Sequence, residues 1–306
     1  MASQQMLLGA GASKLPFYDT TYEGGTPSWT GTGTLGGGHP THPCYSGGTD
    51  TYGDYVIFGP RDARMVVDIY DASNGNLVYE LSTTTGINTY GIGMNSVTGK
   101  IYCCDYGGAN VYEWDISSHC TNNADGTKLT FTSSSGTNNN SATTNAPWAT
   151  VSNDSRCDFI QHLYFPHDTS HPFHDHWLVS GRGSGGYIWV YPDAGNNSNY
   201  TYQLQIPSGT NLSPQGPYGG GYDWQTNSII VNKRSMDCTL LHDGTSSGAT
   251  AINVSAMQPF NYYNNITLGT NNATSNSPED MFILRNGDLC VVSSQTRYFG
   301  IYSRTS

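Results

Sequence analysis

The apolar residues of this chain fall in short runs rather than long amphipathic stretches. Tyr55-Val-Ile-Phe58, Met65–Tyr70 and Leu77–Leu81 are rich in β-branched and aromatic residues, and a polar turn cluster, Asp71-Ala-Ser-Asn-Gly-Asn76, separates the last two. Such runs fit a pleated, half-buried surface, while Gly and Asn tolerate the positive φ of tight turns. No long stretch places apolar residues at i, i+3, i+4 and i+7, so the pattern predicts an all-β chain and argues against a helical or doubly wound α/β fold.

The runs also repeat. Tyr90-Gly-Ile-Gly-Met-Asn-Ser-Val-Thr-Gly-Lys-Ile-Tyr102 aligns without gaps on Tyr218-Gly-Gly-Gly-Tyr-Asp-Trp-Gln-Thr-Asn-Ser-Ile-Ile230, matching Tyr90 with Tyr218, Gly91 with Gly219, Gly93 with Gly221 and Ile101 with Ile229. Each copy reads as a Gly-rich inner strand, a polar turn and an apolar second strand. Asp280-Met-Phe-Ile-Leu-Arg-Asn-Gly-Asp-Leu-Cys-Val-Val292 is a third copy, with Asn286-Gly287 as its hairpin turn. Repeats of roughly 40–50 residues signal a propeller or an array.

Five units account for residues 40–304. One runs through Tyr55–Phe58, Met65–Tyr70 and Leu77–Leu81; the next contains Lys100–Asp105 and Val111–Asp115. A third has Phe159–Phe165, Trp177–Ser180, Tyr187–Tyr191 and Tyr200–Ile206, the fourth covers Tyr218–Val254, and the last ends on Tyr298–Tyr302. That last unit is one strand short, so an N-terminal strand is expected to complete it and close the ring, removing open sheet edges. The pattern resembles β-propellers with degenerate repeats, without Trp-Asp or kelch signatures. The predicted fold is a five-bladed β-propeller (six if Phe260–Leu268 forms its own blade), with a β-sandwich as the alternative. Residues 1–38 read as an extended N-terminal arm, 39–306 as the propeller, and 132–155 as a polar loop insertion.

Composition narrows the function classes. Charged residues make up 11% and the net charge is −11, with twelve basic residues that form no run, which argues against nucleic acid as a partner. A surface of hydroxyl and amide groups carrying few charges suits extracellular and virion proteins better than intracellular enzymes. The seven cysteines are an odd number, and several lie in apolar strand patterns; they read as buried thiols of a chain made in a reducing cytoplasm. The N-terminus shows no signal-peptide pattern and no membrane span.

The densest candidate chemistry is His162-Leu-Tyr-Phe-Pro-His167-Asp-Thr-Ser-His171-Pro-Phe-His174-Asp-His176-Trp177. On a strand, His174 and His176 would share a face. With His171, His167 and Asp175 they form a candidate set for a transition metal ion. The opposing reading is a polar loop between two strands whose imidazoles satisfy backbone groups, since no HExxH or cysteine-pair spacing is present. Trp148, Trp189 and Trp224 could stack on sugar rings or serve as core. No nucleophile stands out, and no catalytic residue is assigned.

Met1-Ala-Ser-Gln-Gln-Met-Leu-Leu-Gly-Ala-Gly resembles the start of structural proteins from tailed bacteriophages, marine and cyanobacterial ones in particular. The resemblance covers about a dozen residues. It implies a virion component, made in the host cytoplasm, placed on the tail or capsid surface beside other virion proteins. Gln4, Gln5, Met6, Leu7 and Leu8 would then belong to an assembly arm that orders on a neighbouring subunit, and the propeller would face outward toward a host glycan or receptor. The alternative is a metal-assisted polysaccharide lyase or hydrolase built on the same fold.

Overall fold

The computed structural model describes residues 29–31, 47–59, 66–83, 89–105, 111–121, 123–138, 157–181, 187–193, 201–205, 219–224, 228–232, 238–242, 251–253, 259–260, 278–293 and 298–302. These residues form five sheets and one two-stranded ribbon. After β1 (Trp29–Gly31), the first sheet is built from β2 (Gly47–Thr49), β3 (Tyr55–Phe58), β4 (Val66–Asp71) and β5 (Leu77–Thr83), antiparallel in succession. The second holds β6 (Thr89–Asn95), β7 (Lys100–Asp105) and β8 (Val111–Asp115). A 3-10 turn at Ser117–His119 then leads into the ribbon of β9 (Cys120–Thr121) and β10 (Thr130–Phe131).

The chain next turns back on itself. β11 (Ser135–Asn138) pairs in parallel with β5 and becomes the outer strand of the first sheet. This segment opens the stretch that composition assigned to a polar loop. Its backbone completes the ladder while Ser135 and Thr137 stay at the surface, so strand formation there needs no apolar residues. The third sheet comprises β12 (Cys157–Leu163), β13 (His176–Gly181), β14 (Tyr187–Pro192) and β15 (Tyr202–Gln205). The fourth comprises β16 (Gly219–Asp223), β17 (Ser228–Asn232) and β18 (Cys238–His242). β19 (Ala251–Asn253) leaves it to pair in parallel with β15, and β20 (Pro259–Phe260) returns to β18, so Phe260 joins the fourth sheet. The second and fourth units thus each lend a strand to the outer edge of the sheet before them.

The fifth sheet contains β21 (Pro278–Ile283), β22 (Leu289–Ser293) and β23 (Tyr298–Tyr302). β1 completes it, antiparallel to β23 with Trp29 opposite Ile301. An N-terminal strand therefore closes the fold, and it lies inside the segment read from sequence as an arm. The first strands of the sheets, β2, β6, β12, β16 and β21, touch one another in a closed cycle. The architecture is a five-bladed β-propeller.

Why the inner strands are Gly-rich follows from that cycle. A Cβ on Gly93 would sit 2.7 Å from the Ile160 carbonyl oxygen of the next blade, and one on Gly91 would sit 3.1 Å from Phe159 Cα. A Cβ on Gly221 would lie 3.2 Å from the Ile283 amide nitrogen, and one on Gly48 would overlap the Ile92 carbonyl outright. Where β2, β12, β16 and β21 face the axis, about 10 Å³ of space remains, roughly what one water needs. The propeller is close-packed at that level of its axis.

The core is divided among the seams between blades. Ile57, Ile69 and Tyr79 of the first blade pack with Ile92, Met94 and Trp114 of the second. Tyr102 and Cys104 meet Ile160, Trp177 and Tyr191, while Phe159, Leu178 and Ile188 meet Tyr222 and Ile229. Phe282, Leu284 and Cys290 of the fifth blade pack on Val56 and Phe58 of the first. Each such large side chain, fully buried, contributes about 1.5–3 kcal/mol of transfer free energy. Cys103, Cys104, Cys120 and Cys290 are buried and outside any disulfide, as the apolar strand contexts of Cys103, Cys104 and Cys290 suggest.

Polar residues at the inner-strand ends shape the next turn. Asp50 is fully buried, and its Oδ1 accepts from the Asp54 and Tyr55 amides at 2.7 and 2.9 Å. Its Oδ2 accepts from Ser96 Oγ of the second blade at 2.8 Å. Asn95 does the same job one blade on, its Oδ1 accepting from the Val97 and Thr98 amides. Asp280 binds blade five to blade one by accepting from the Gly47 amide at 2.7 Å.

Candidate functional site

The turns joining the first and second strands of every blade lie at one end of the barrel of inner strands. Tyr52 comes from the first blade's turn, Tyr164, Phe165, His167 and Asp168 from the third, Trp224 from the fourth and Arg285 from the fifth. With Asp125 and Gly126 of the β9–β10 connection, they line a cleft of about 370 Å³. Sequence distance hides this grouping: four of the turns are hairpin connections that only ring closure brings together.

The cleft is an aromatic cup. Trp224 packs against Phe165 at 5.0 Å, Tyr222 at 4.9 Å and Tyr52 at 6.1 Å between ring centroids. Its indole Nε1 has no hydrogen-bond partner among the described residues. Arg285 forms one wall, its guanidinium lying 4.8 Å over the Tyr52 ring. It donates to the Gly126 carbonyl at 2.7 Å and to Asp54 Oδ2 at 2.6 Å, tying the fifth blade to the first blade and to the β9–β10 loop. Gly126 needs its φ of 82°, and a Cβ there would meet Pro166 at 3.0 Å. Beyond Arg285 lies a second hollow of about 270 Å³ lined by Asp54, Ser73, Lys128 and Asn286.

Ionisation at the rim is set locally. Thr127 donates through amide and hydroxyl to Asp125, and Ser170 donates its hydroxyl to Asp168; these bonds hold both carboxyls below the usual range. Both carboxylates face solvent. Burial, with the Asp50 charge second, pushes the Asp54 carboxyl up to about 6, even though Arg285 lies beside it. The direct ion pair lowers it, but desolvation and the neighbouring carboxylate outweigh that pull. Tyr52 is also pushed up, chiefly by burial, so its phenol stays protonated and donates to the Asn123 carbonyl at 3.1 Å.

The histidine-rich segment is the β12–β13 connection. His171 Nδ1 accepts from the Phe173 amide, His174 Nδ1 accepts from the Phe165 amide, and His176 Nδ1 donates to the His174 carbonyl. Three imidazoles are thus spent on folding their own loop. His171 also stacks on Phe165 at 3.6 Å, bracing the cleft wall, and His167 stands exposed at its rim. Burial lowers the His176 imidazole below its ordinary value.

The expected face shared by His174 and His176 does not form. His174 lies in the turn, β13 begins only at His176, and Asp175 between them has a φ of 55°. A left-handed residue breaks the two-residue alternation on which the strand argument depended. Among the described residues, of His167, His171, His174, His176 and Asp175 only Asp175 falls in a group of potential ligands. It joins His162 and Asp193, with donor atoms within 4.8 Å of one another. Linear spacing could not reveal this group, because Asp193 arrives from the end of β14. Trp189 is core and Trp224 is in the cleft. Trp148 and the arm residues Gln4, Gln5, Met6, Leu7 and Leu8 lie outside the described residues.

No family model matches the chain, and neither does any curated protein. Among solved structures, the chain is similar to the WD40 β-propeller domain of Doa1 at 13% identity and a TM-score of 0.41, over 85% of this chain and 79% of that one.

Proposed function

We propose that the chain is a non-catalytic recognition component of a tailed-bacteriophage particle, whose propeller binds a surface glycan in the aromatic cleft. The observation that carries the binding reading is the convergence of Tyr52, Tyr164, Phe165 and Trp224 from three different blades onto one cavity, with carboxylates and an arginine at its edge. Aromatic faces bury the apolar faces of sugar rings, and a few placed polar groups fix orientation. The Arg285 guanidinium and the exposed Asp125 and Asp168 carboxylates at the rim are such groups. The second hollow across Arg285 lengthens the surface in the way an oligosaccharide would use. The virion assignment is supported by the phage-like N-terminal segment and by the low charge density of the chain.

Two experiments test the two halves. Purified protein is passed over immobilised bacterial and algal polysaccharides, alongside Trp224→Ala. Retention that is lost in the variant supports the cleft; depolymerisation of the glycan would replace the binding reading with the lyase or hydrolase. Mass spectrometry of purified particles from the source sample tests the location, and absence of the chain from them removes the virion reading.

A further inference from the structure

Beside the cleft, a buried polar network surrounds His162. His162 is fully buried. Its Nε2 lies 3.3 Å from Asn95 Nδ2, and Asn95 cannot be turned around, because its Oδ1 already accepts two backbone amides. Nε2 thus has an amide donor on one side and the Asp175 Oδ1 acceptor on the other, each at 3.3 Å, and in the neutral tautomer with its hydrogen on Nδ1 it offers one lone pair to a cation. The other side of the ring allows that tautomer. Nδ1 lies 2.9 Å from Thr51 Oγ1, which also accepts from the Ser96 amide at 2.8 Å and donates its own hydrogen to the Met94 carbonyl at 3.4 Å.

An ion placed beside Asp175 and Asp193 would take that lone pair in place of the long Asn95 contact. Two carboxylates and an imidazole lone pair facing one point repel unless something positive stands between them. A proton on His162 would neutralise one of the two negative charges; a divalent cation neutralises both. The remaining groups are consistent with ligation. Thr51 holds Nδ1–H, which is the outer bond that orients a metal-binding imidazole. Asp193 Oδ1 accepts from Trp177 Nε1 at 2.5 Å, which fixes that carboxylate and leaves its other oxygen for a ligand. The Asp193 amide donates to the Asp175 carbonyl at 2.9 Å, locking the two acidic residues together. Asp175 is partly exposed, so an ion has an entry path.

We infer that His162, Asp175 and Asp193 form a site for one divalent transition-metal cation, with waters completing its shell. One nitrogen and carboxylate oxygens suit Zn²⁺, Mn²⁺ or Fe²⁺ rather than the all-oxygen shell of Ca²⁺. The ion would tie the β12–β13 loop to the end of β14 and to the inner strand, holding the cleft wall of Tyr164 and Phe165 in place. This inference does not depend on glycan binding.

The test uses the full chain, stripped with a chelator and dialysed, then titrated calorimetrically with ZnCl₂ and with MnCl₂ and assayed for bound metal. Asp175→Asn tolerates the left-handed backbone, and Asp193→Asn keeps an acceptor for the Trp177 N–H, so both variants are expected to fold; circular dichroism and melting confirm this. The expected result is one equivalent bound by the wild type, weakened at least about tenfold in each Asn variant and unchanged in His167→Ala, a control for scavenging by a surface imidazole. Equal stoichiometry and affinity in both Asn variants would overturn the site, as would loss of binding in His167→Ala. So would failure of both metals to bind at about 1 mM, roughly the weakest binding worth calling a site.

Discussion

Gly93→Ala tests whether close approach of the inner strands is what the Gly-rich repeat encodes. The added methyl would sit 2.7 Å from the Ile160 carbonyl oxygen, 0.3 Å inside the 3.0 Å limit that real Cβ contacts respect, and 3.3 Å from Ile160 Cγ1. The obstacle is backbone, so no rotamer change can relieve it; the seam between β6 and β12 must open. Forcing one extra methyl into a packed core costs about 1–3 kcal/mol. Replacing Gly by Ala returns roughly 0.4–1 kcal/mol by restricting the unfolded chain. At the midpoints of those ranges the net expectation is a loss of about 1.3 kcal/mol, read as a lower midpoint in urea unfolding with an unchanged slope. Gly48→Ala, whose Cβ would overlap the Ile92 carbonyl, should lose more, and Gly91→Ala, at 3.1 Å from Phe159, should lose less. A Gly93→Ala protein as stable as the wild type, or a reversed order among the three variants, would refute the reasoning.

Other expectations follow from single contacts. Trp224→Ala should abolish retention on any glycan the wild type binds while the variant still melts cooperatively, at a lower temperature because the partly buried ring also packs on Phe165 and Tyr222; affinity chromatography with a melting control decides this. Asp54→Asn should alter the pH dependence of stability. The folded carboxyl titrates at about 6, above an unfolded value of about 3.9, so the folded chain holds that proton more tightly. Stability from this group is therefore full below about pH 4 and falls as pH rises through about 6. Relative to the variant, the wild type should lose about 2 kcal/mol across that window; urea midpoints that keep a constant difference from pH 4 to pH 7 (about those values) would contradict it. Asp50→Ala should be the most damaging polar substitution, about 3 kcal/mol or more by equilibrium unfolding, since it strands three amide donors of the first turn, two of them buried, and the Ser96 hydroxyl at once. Removing residues 1–31 takes away β1 and leaves the β23 edge unpaired. The truncated chain should melt lower and associate in light scattering, and a monomer of unchanged stability would show that closure by β1 is dispensable.

Much of the fold was legible because blades are local. Each is a meander of neighbouring strands, so alternation, turn residues such as Asn286-Gly287 and the matched Tyr90 and Tyr218 copies reported it directly, as did the missing last strand. The inner strand β2 was missed, since Gly47-Gly-Thr49 has no apolar pattern to read; its burial comes from neighbouring blades rather than from its own side chains. β11 was read as loop for the related reason that an outer-edge strand draws its stability from backbone pairing with β5.

The sites were less legible. The histidine run announced itself by density, yet its imidazoles mostly serve their own loop, and the left-handed backbone at Asp175 overrode the two-residue period. What the sequence determined by itself was the β class, the blade repeat and the need for a closing strand, because those depend on nearest-neighbour pattern and turn chemistry. Only the tertiary structure decided which turns share the aromatic cleft and that His162 meets Asp175 and Asp193. The cleft comes from closing a ring, which sets residues of different blades side by side, whereas the His162 group comes from antiparallel register within the third blade, where Leu163 faces His176 and His176 faces Pro192.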